Sequence, residues 1–280
     1  MKVLICGLGR MGNIHKKYLE QLGVDWIFFD PFVNRPEISS RKINTLKQTI
    51  DELVTHVIIS STEDVHYNNY ISLRSLGFSG PVLVEKPAVV ERQHFSIFDD
   101  KKVSVGLVER FNPAIEVLRE NIKAGEVVSS DFTRCSVASA SNQKVNSFID
   151  VGIHDVDLYF YLFGDRNPNC SFENFSNTFT LTLREPDKFI SRFIWSNETS
   201  CKERKIIIRH KSFTLEAELI NQIVTKTLAT DNGKMITQNL YVEKASPVLK
   251  QLSRFLERGR TSTGQRSHEL YFQLREKYNV

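Results

Sequence analysis

The stretch KVLICGLGRMG, Lys2 to Gly12, decides how this chain is read. It opens as an apolar, β-branched run of strand length, and Met11 to Gly23 continues with the 3.6-residue period of a helix. Between them stand Gly7, Gly9 and Gly12 in GxGxxG spacing. At a strand-to-helix junction the first glycine permits a tight turn, the second lets backbone approach a pyrophosphate, and the third lets helix and strand pack closely. The diphosphate then lies on the helix N-terminus. A second strand, DWIFF, runs into Asp30, eighteen residues beyond Gly12. An acid there can accept hydrogen bonds from ribose hydroxyls and repels a 2′-phosphate, so the loop predicts a dinucleotide site that takes NAD in preference to NADP.

Outward from this loop the alternation repeats. HVIIS, PVLVE and KVSVGL are further strand-length apolar runs, Glu63 to Gly77 and Ala88 to Asp99 have helical periodicity, and Pro31 to Asp51 is irregular with one short helix at most. Strand and helix in alternation predict a parallel sheet covered on both faces. After GLVERFNP the texture changes. A helix from Pro113 to Gly125 leads to the strand VVSSDFTRCSV, a polar loop SASNQKVNS and the helical stretch FIDVGIHDVDLYFYLFG. TFTLTLRE, KFISRFIWS, RKIIIRHK and SFTLEAELI then alternate apolar and polar positions as half-buried antiparallel strands do. SPVLKQLSRFLERG reads as a helix, and Thr261 to Val280 as a loop and a terminal helix. The expected fold is an α/β dinucleotide-binding domain over 1–108, then an α+β domain with a largely antiparallel mixed sheet over 109–280.

Composition agrees with two ordinary globular domains: 280 residues, 41% of them hydrophobic, with no internal repeat or low-complexity tract. The net charge of +4 is spread along the chain, which argues against a nucleic-acid partner; it would suit an anionic small molecule, although an ordinary solvated surface needs no such partner and is the plainer reading. Cys6, Cys135, Cys170 and Cys201 form no CxxC pair and read as buried, reduced residues. No signal-peptide pattern and no run of about 18 apolar residues is present, so a cytoplasmic protein without a membrane partner is expected.

Two stretches carry chemistry beyond the glycine loop. In FIDVGIHDVDLYFYLFG, Phe148 to Gly164, an advance of about 100° per residue puts Asp150, His154, Asp157 and Tyr161 within an arc of roughly 60°. The flanks are apolar except for Asp155 and Tyr159. Unpartnered polar groups cost roughly 2 to 7 kcal/mol each when buried, so the stripe needs partners, a cavity or a ligand. No cysteine or second histidine joins it, and no metal is expected. VLVEKP, Val82 to Pro87, sets Lys86 at the carboxyl end of the fourth strand, the edge where open α/β sheets bind ligands.

GLGRMG, the His66-bearing STEDVHY, VEKP, VERFNP and DVGIHDVD occur in the order and spacing of the Gfo/Idh/MocA oxidoreductases, which act chiefly on sugars and polyols. The chain resembles that family by motif over roughly residues 1 to 165. The resemblance implies a Rossmann domain followed by a mixed-sheet domain whose open face often mediates a homodimer or homotetramer. Lys86 matches the lysine of the family's EKP, and Asp150 and His154 match its Asp-x-x-x-His pair, which implies a catalytic trio in contact with substrate. Arg10, Met11, Ser60, Ser61 and Glu85 join Gly7, Gly9, Gly12, Asp30 and Lys86 as implied cofactor contacts. Arg110 and Asn112 match positions on the family's substrate side, and an equal reading of Arg110 is an ion pair with a carboxylate such as Glu109 or an interdomain neighbour. His66 is implied to be structural. Two departures stand out: Ser61 and Thr62 replace the family's Thr-Pro, and the second domain is short.

The function expected is hydride transfer between a secondary hydroxyl of a sugar, polyol or nucleotide sugar and nicotinamide, with His154 taking the hydroxyl proton. ERFNP resembles the sugar-nucleotide 3-dehydrogenase branch. Two other readings are a reductase of a non-sugar substrate, resembling biliverdin reductase, and a catalytically silent NAD-sensing regulator. The presence of Lys86, Asp150 and His154 together favours the dehydrogenase.

Overall fold

The computed structural model of the chain describes residues 1–137, 152–185 and 189–278. Two compact units divide it: Met1–Leu107 with Val248–Gln265, and Val108–Pro247 with Arg266–Val280.

The first unit is built from β1 (Lys2–Cys6), α1 (Arg10–Gln21), β2 (Asp25–Phe29), α2 (Gln48–Asp51), β3 (His56–Ile59), α3 (His66–Ser75), β4 (Val82–Val84) and β5 (Val103–Val105). Its five strands are all parallel, in the order β2-β1-β3-β4-β5. Val3, Leu4 and Ile5 of β1, Val57, Ile58 and Ile59 of β3, and all of β4 are fully buried, as continuous apolar strands in a sheet covered on both faces must be. The chain runs outward from β1 to β2 and returns past β1 to β3, so the strand order reverses between β1 and β3. At such a switch point the loops after the two strands diverge and leave room for a ligand. The stretch expected as a helix over Ala88 to Asp99 is a 3₁₀ helix over Arg92–Asp99. Ile97 and Phe98 are buried, so the periodicity marked an inward edge without specifying the tighter winding.

The second unit contributes α4 (Pro113–Asn121), β6 (Val127–Val137), α5 (Ile153–Phe163), β7 (Asn169–Phe175), β8 (Thr178–Arg184), β9 (Ile190–Thr199), β10 (Glu203–His210), β11 (Phe213–Glu218), β12 (Ile223–Ala229) and β13 (Met235–Leu240). Two helices close the chain, α6 (Pro247–Arg258) and α7 (Gln265–Tyr278). The eight strands run β13-β12-β11-β10-β6-β9-β8-β7, antiparallel throughout except for the parallel pair β6 and β9. Phe132, Leu181, Phe193, Trp195, Ile206, Ile208 and Leu215 line the buried face. Against it Tyr159 of α5 meets Phe193 edge to face, with ring centroids 6.2 Å apart.

One helix departs from the expected division at residue 109. Leu252, Phe255 and Leu256 of α6 belong to the core of the first unit, with Val3, Ile5, Trp26 and Phe28. The amphipathic pattern of SPVLKQLSRFLERG shows that one face must be buried but does not say against which sheet. Among the described residues, no helix is long and apolar enough to cross a membrane.

Candidate active site

The glycine loop connects β1 to α1. Gly7 adopts φ +92°, and a Cβ there would lie 2.5 Å from the backbone of Ser61. A Cβ on Gly12 would lie 2.1 Å from the Gly7 carbonyl oxygen. Both positions are therefore closed to any side chain. Gly9 differs, because a Cβ there would meet nothing within 4 Å. Gly9 is the N-cap of α1, no side chain caps that end, and the first turn, headed by Arg10 and Met11, carries no acid. An open backbone at a helix N-terminus lacking its own anion fits a pyrophosphate. Asn13 braces the loop by donating from Nδ2 to the carbonyls of Leu8 and Gly9, each at 2.7 Å, and Ser60 Oγ donates to the Gly7 carbonyl at 2.8 Å.

Asp30 lies beside this loop and is already engaged. One oxygen accepts from the Leu8 N–H at 2.8 Å, and the other from the N–H groups of Phe32 and Val33 at 2.9 and 3.1 Å. A carboxylate has about four acceptor positions, so roughly one is left for a ribose hydroxyl. The Asx-type turn and the ligand reading are thus compatible.

At the end of β4 the side chains of Glu85 and Lys86 take different places. Glu85 is buried and its Oε1 lies 2.7 Å from Nε2 of His15, a fully buried residue on α1. Gly106 makes the space, since a Cβ there would come within 2.8 Å of the carboxylate. Glu85, implied as a cofactor contact, is therefore spent on linking β4 to the helix of the glycine loop. Lys86 is half-buried, on a cis peptide with Pro87. His66 is buried between two carbonyl oxygens, Pro87 at 2.9 Å and Ser61 at 3.0 Å, and so ties the loop after β3 to the segment carrying Lys86.

The second unit holds the other candidates. Asp150 lies outside the described residues. His154 is buried in the first turn of α5, and its neighbours Asp155 and Asp157 are buried too. Asp157 receives a bidentate bond from Arg110, Nε and Nη2 each donating at 2.6 Å, and a longer one from Ser267 at 3.4 Å. Burial lifts its carboxyl above the ordinary range against the pull of Arg110. Arg110 also lies over the ring of Tyr161, 5.0 Å from its centroid. The partner of Arg110 is thus Asp157 rather than Glu109. Two of its roughly five N–H donors are used, and part of its side chain remains exposed. Asn112 is the N-cap of α4: Oδ1 accepts from the Ala114 N–H at 3.1 Å, and Nδ2 donates to the Leu219 carbonyl at 3.0 Å. Its polar atoms are engaged within the fold.

Asp155, an exception to the apolar flanks in the sequence, is the centre of a buried ion network. Arg134 of β6 donates to it through Nε at 3.0 Å and Nη2 at 2.7 Å, and Trp195 Nε1 donates at 2.9 Å. Arg134 Nη1 also donates to Glu109 at 2.9 Å, and Arg204 donates to the same Glu109 oxygen at 3.0 Å. Burial would raise the Glu109 carboxyl, but the charges of Arg134, His154 and Arg204 outweigh it and hold the group at about 2. The flanking carboxylates push the Arg134 guanidinium well above its ordinary value despite complete burial. A period-2 signal for this network exists in the sequence. Phe132 faces the core, so Arg134, two residues on in VVSSDFTRCSV, must face it as well.

No group of three or more His, Cys, Asp or Glu suited to a metal occurs among the described residues. Of the cysteines, Cys6 and Cys135 are buried as expected, whereas Cys201 is exposed.

No protein-family model matches the chain. In sequence it is 25% identical over 204 residues to the rhizopine catabolism protein MocA of Rhizobium meliloti, covering 65% of this chain and 64% of that one. It is 28% identical over 187 residues to scyllo-inositol 2-dehydrogenase (NAD(+)) of Bacillus subtilis (strain 168), covering 59% and 54%. The fold matches UDP-N-acetylglucosamine 3-dehydrogenase GnnA from Acidithiobacillus ferrooxidans with a TM-score of 0.83 at 16% identity, over 98% of this chain and 96% of that one. The likeness is thus partial in sequence and nearly complete in fold. The matches span just over half to about two thirds of the lengths of the two curated relatives. Asn13, His15, Glu109, Arg134 and Asp155 are buried or bracing polar residues that the motifs alone do not mark as site elements.

Proposed function

We propose that this chain is an NAD-dependent dehydrogenase that moves a hydride between a secondary hydroxyl of a sugar, polyol or nucleotide sugar and nicotinamide. The observation that carries the reading is the open Gly9 on the uncapped N-terminus of α1, with an acceptor position of Asp30 beside it. The backbone of residues 7–12 would hold the diphosphate and Asp30 a ribose hydroxyl. NAD, when bound, supplies the nicotinamide that accepts hydride. The named activities of the inositol and nucleotide-sugar relatives support the substrate class.

His154 takes the hydroxyl proton as general base, and Lys86 donates to the same oxygen and steadies its developing negative charge. Asp150, four residues before His154 in the sequence, orients the hydroxyl or the imidazole. The remaining donors of Arg110 suit a phosphate or carboxylate on the substrate. We place the enzyme in the cytoplasm as a homo-oligomer, with no nucleic-acid partner. Supporting the oligomer, Ile190, Ile194 and Ile207 lie on the sheet face opposite the core, where Ile194 is exposed. Calorimetry with NAD and NADP tests the cofactor half of the reading. Tighter NAD binding is expected, and equal or tighter NADP binding would refute it.

A further inference from the structure

Asp30 does not stand alone at the glycine loop. Arg35, exposed and five residues further on, reaches back to α1, where its Nη1 donates to Asn13 Oδ1 at 3.2 Å. Asn13 in turn donates to the carbonyls of Leu8 and Gly9, each at 2.7 Å. One amide side chain therefore separates the guanidinium from the open backbone of Gly9. Asp30 joins the same loop from the other side of the peptide, accepting from the Leu8 N–H at 2.8 Å. An acid and a cation thus converge on Leu8, one directly and one through Asn13.

The charged groups of residues 30–42 are Asp30, Arg35, Glu37, Arg41 and Lys42. Arg41 is paired with Asp25 at 2.8 Å, and Lys42 donates to the Val33 carbonyl at 2.8 Å. Glu37 lies in the first turn of the 3₁₀ helix Pro36–Arg41. Arg35 rests on a neutral amide oxygen, which occupies one of about five N–H donors. Asp30 faces three N–H dipoles, from Leu8, Phe32 and Val33, and these offset part of its charge. The acid that spacing sets against a 2′-phosphate is therefore weakened, while the same loop offers a guanidinium with donors to spare. A 2′-phosphate carries a charge of about −1.5 to −2 and three acceptor oxygens, a group that arginine binds through paired N–H donors.

We propose that Arg35 is a specificity-determining residue for the cofactor: it binds the 2′-phosphate of NADP and so limits the preference for NAD that Asp30 sets. The chain then binds both dinucleotides, NAD more tightly and NADP at an affinity that depends on Arg35. The inference rests on the reading of residues 7–12 and Asp30 as a dinucleotide site.

The test is calorimetry of the full-length protein at low ionic strength, where exposed charges are least screened, with NAD, NADP, ADP and 2′,5′-ADP. Wild type should bind NADP more weakly than NAD. Arg35→Ala should lower the ratio of NADP to NAD affinity about tenfold, the size of one charge-assisted hydrogen bond. Arg35→Glu should lower it further and Arg35→Lys less, whereas Asp30→Ala moves it the opposite way. The ratio of 2′,5′-ADP to ADP affinity should follow the same series, which places the effect at the phosphate. Added salt should bring wild type and Arg35→Ala together for NADP. A brace acting only through Asn13 would weaken every nucleotide alike, so an unchanged ratio in Arg35→Ala and Arg35→Glu overturns the proposal. NAD binding by a wild type that does not bind NADP overturns it as well and leaves the dinucleotide reading in place. A wild type that binds neither removes that reading and the proposal with it. Arg35→Lys and Arg35→Glu carry the comparison should Arg35→Ala fail to fold.

Discussion

Asp30 accepts backbone N–H bonds from Leu8, Phe32 and Val33, so replacing it changes the loop as well as the ribose contact. Asp30→Ala should narrow the preference for NAD over NADP and also lower the melting temperature of the cofactor-free protein. Calorimetry and a thermal melt check the two effects, and an unchanged melt would show that the three bonds contribute nothing. Glu109 makes a second prediction. Its folded pKa of about 2 lies below the ordinary 4.5, so the network stabilises the fold at neutral pH and that contribution is lost as pH falls from about 5 toward 2. Glu109→Gln should therefore melt well below wild type at pH 7, and the gap should shrink as pH is lowered to about 3. A gap independent of pH contradicts the assignment. Residues with a role in a motif, such as Gly7, Gly12 and His66, were legible in the sequence because spacing carries the geometry. For Glu109, Arg134 and Asp155 the pattern marks at most that Arg134 and Asp155 face inward, and their pairing was not legible, since the partners come from different elements.

Elements were legible where one face is buried and the pattern is long. The five strands of the parallel sheet appear as unbroken apolar runs, and β8 to β11 as alternations. β13 is exposed at nearly every position and β7 buries only Phe172, so neither carries a pattern to read. For α6 the sequence showed an apolar face and left its destination open. Phe255 of that helix is fully buried, with the ring of His56 edge-on at 5.3 Å. Phe255→Ala should cost about 3 to 5 kcal/mol, the usual range for a large core truncation. Urea unfolding followed by Trp26 fluorescence, with Trp195→Phe as background, should show the loss in the first unit. A loss seen only by probes in the second unit would contradict the placement of α6.

For the whole molecule, fold class followed from the order of elements: alternation of strand and helix, then a run of strands. Oligomeric state does not follow in this way, because a second copy leaves its trace only as a surface. The sheet face bearing Ile194 also carries Asp131, bonded to Arg192 and Arg209, a mixed polar and apolar surface of the kind that pairs copies. Light scattering at micromolar concentration should give at least twice the monomer mass, and Ile194→Glu should reduce it. A monomeric wild type contradicts the proposed assembly. The proposed activity is that of an NAD-dependent sugar or polyol dehydrogenase. Its most direct test is NADH absorbance followed across a panel of polyols, sugar phosphates and nucleotide sugars. Turnover with one class is predicted, lowered roughly 100-fold to 10,000-fold in His154→Ala and recovered at high pH more than in Lys86→Ala. Absence of turnover with every class, or a His154→Ala variant as fast as wild type on the best substrate, would contradict it.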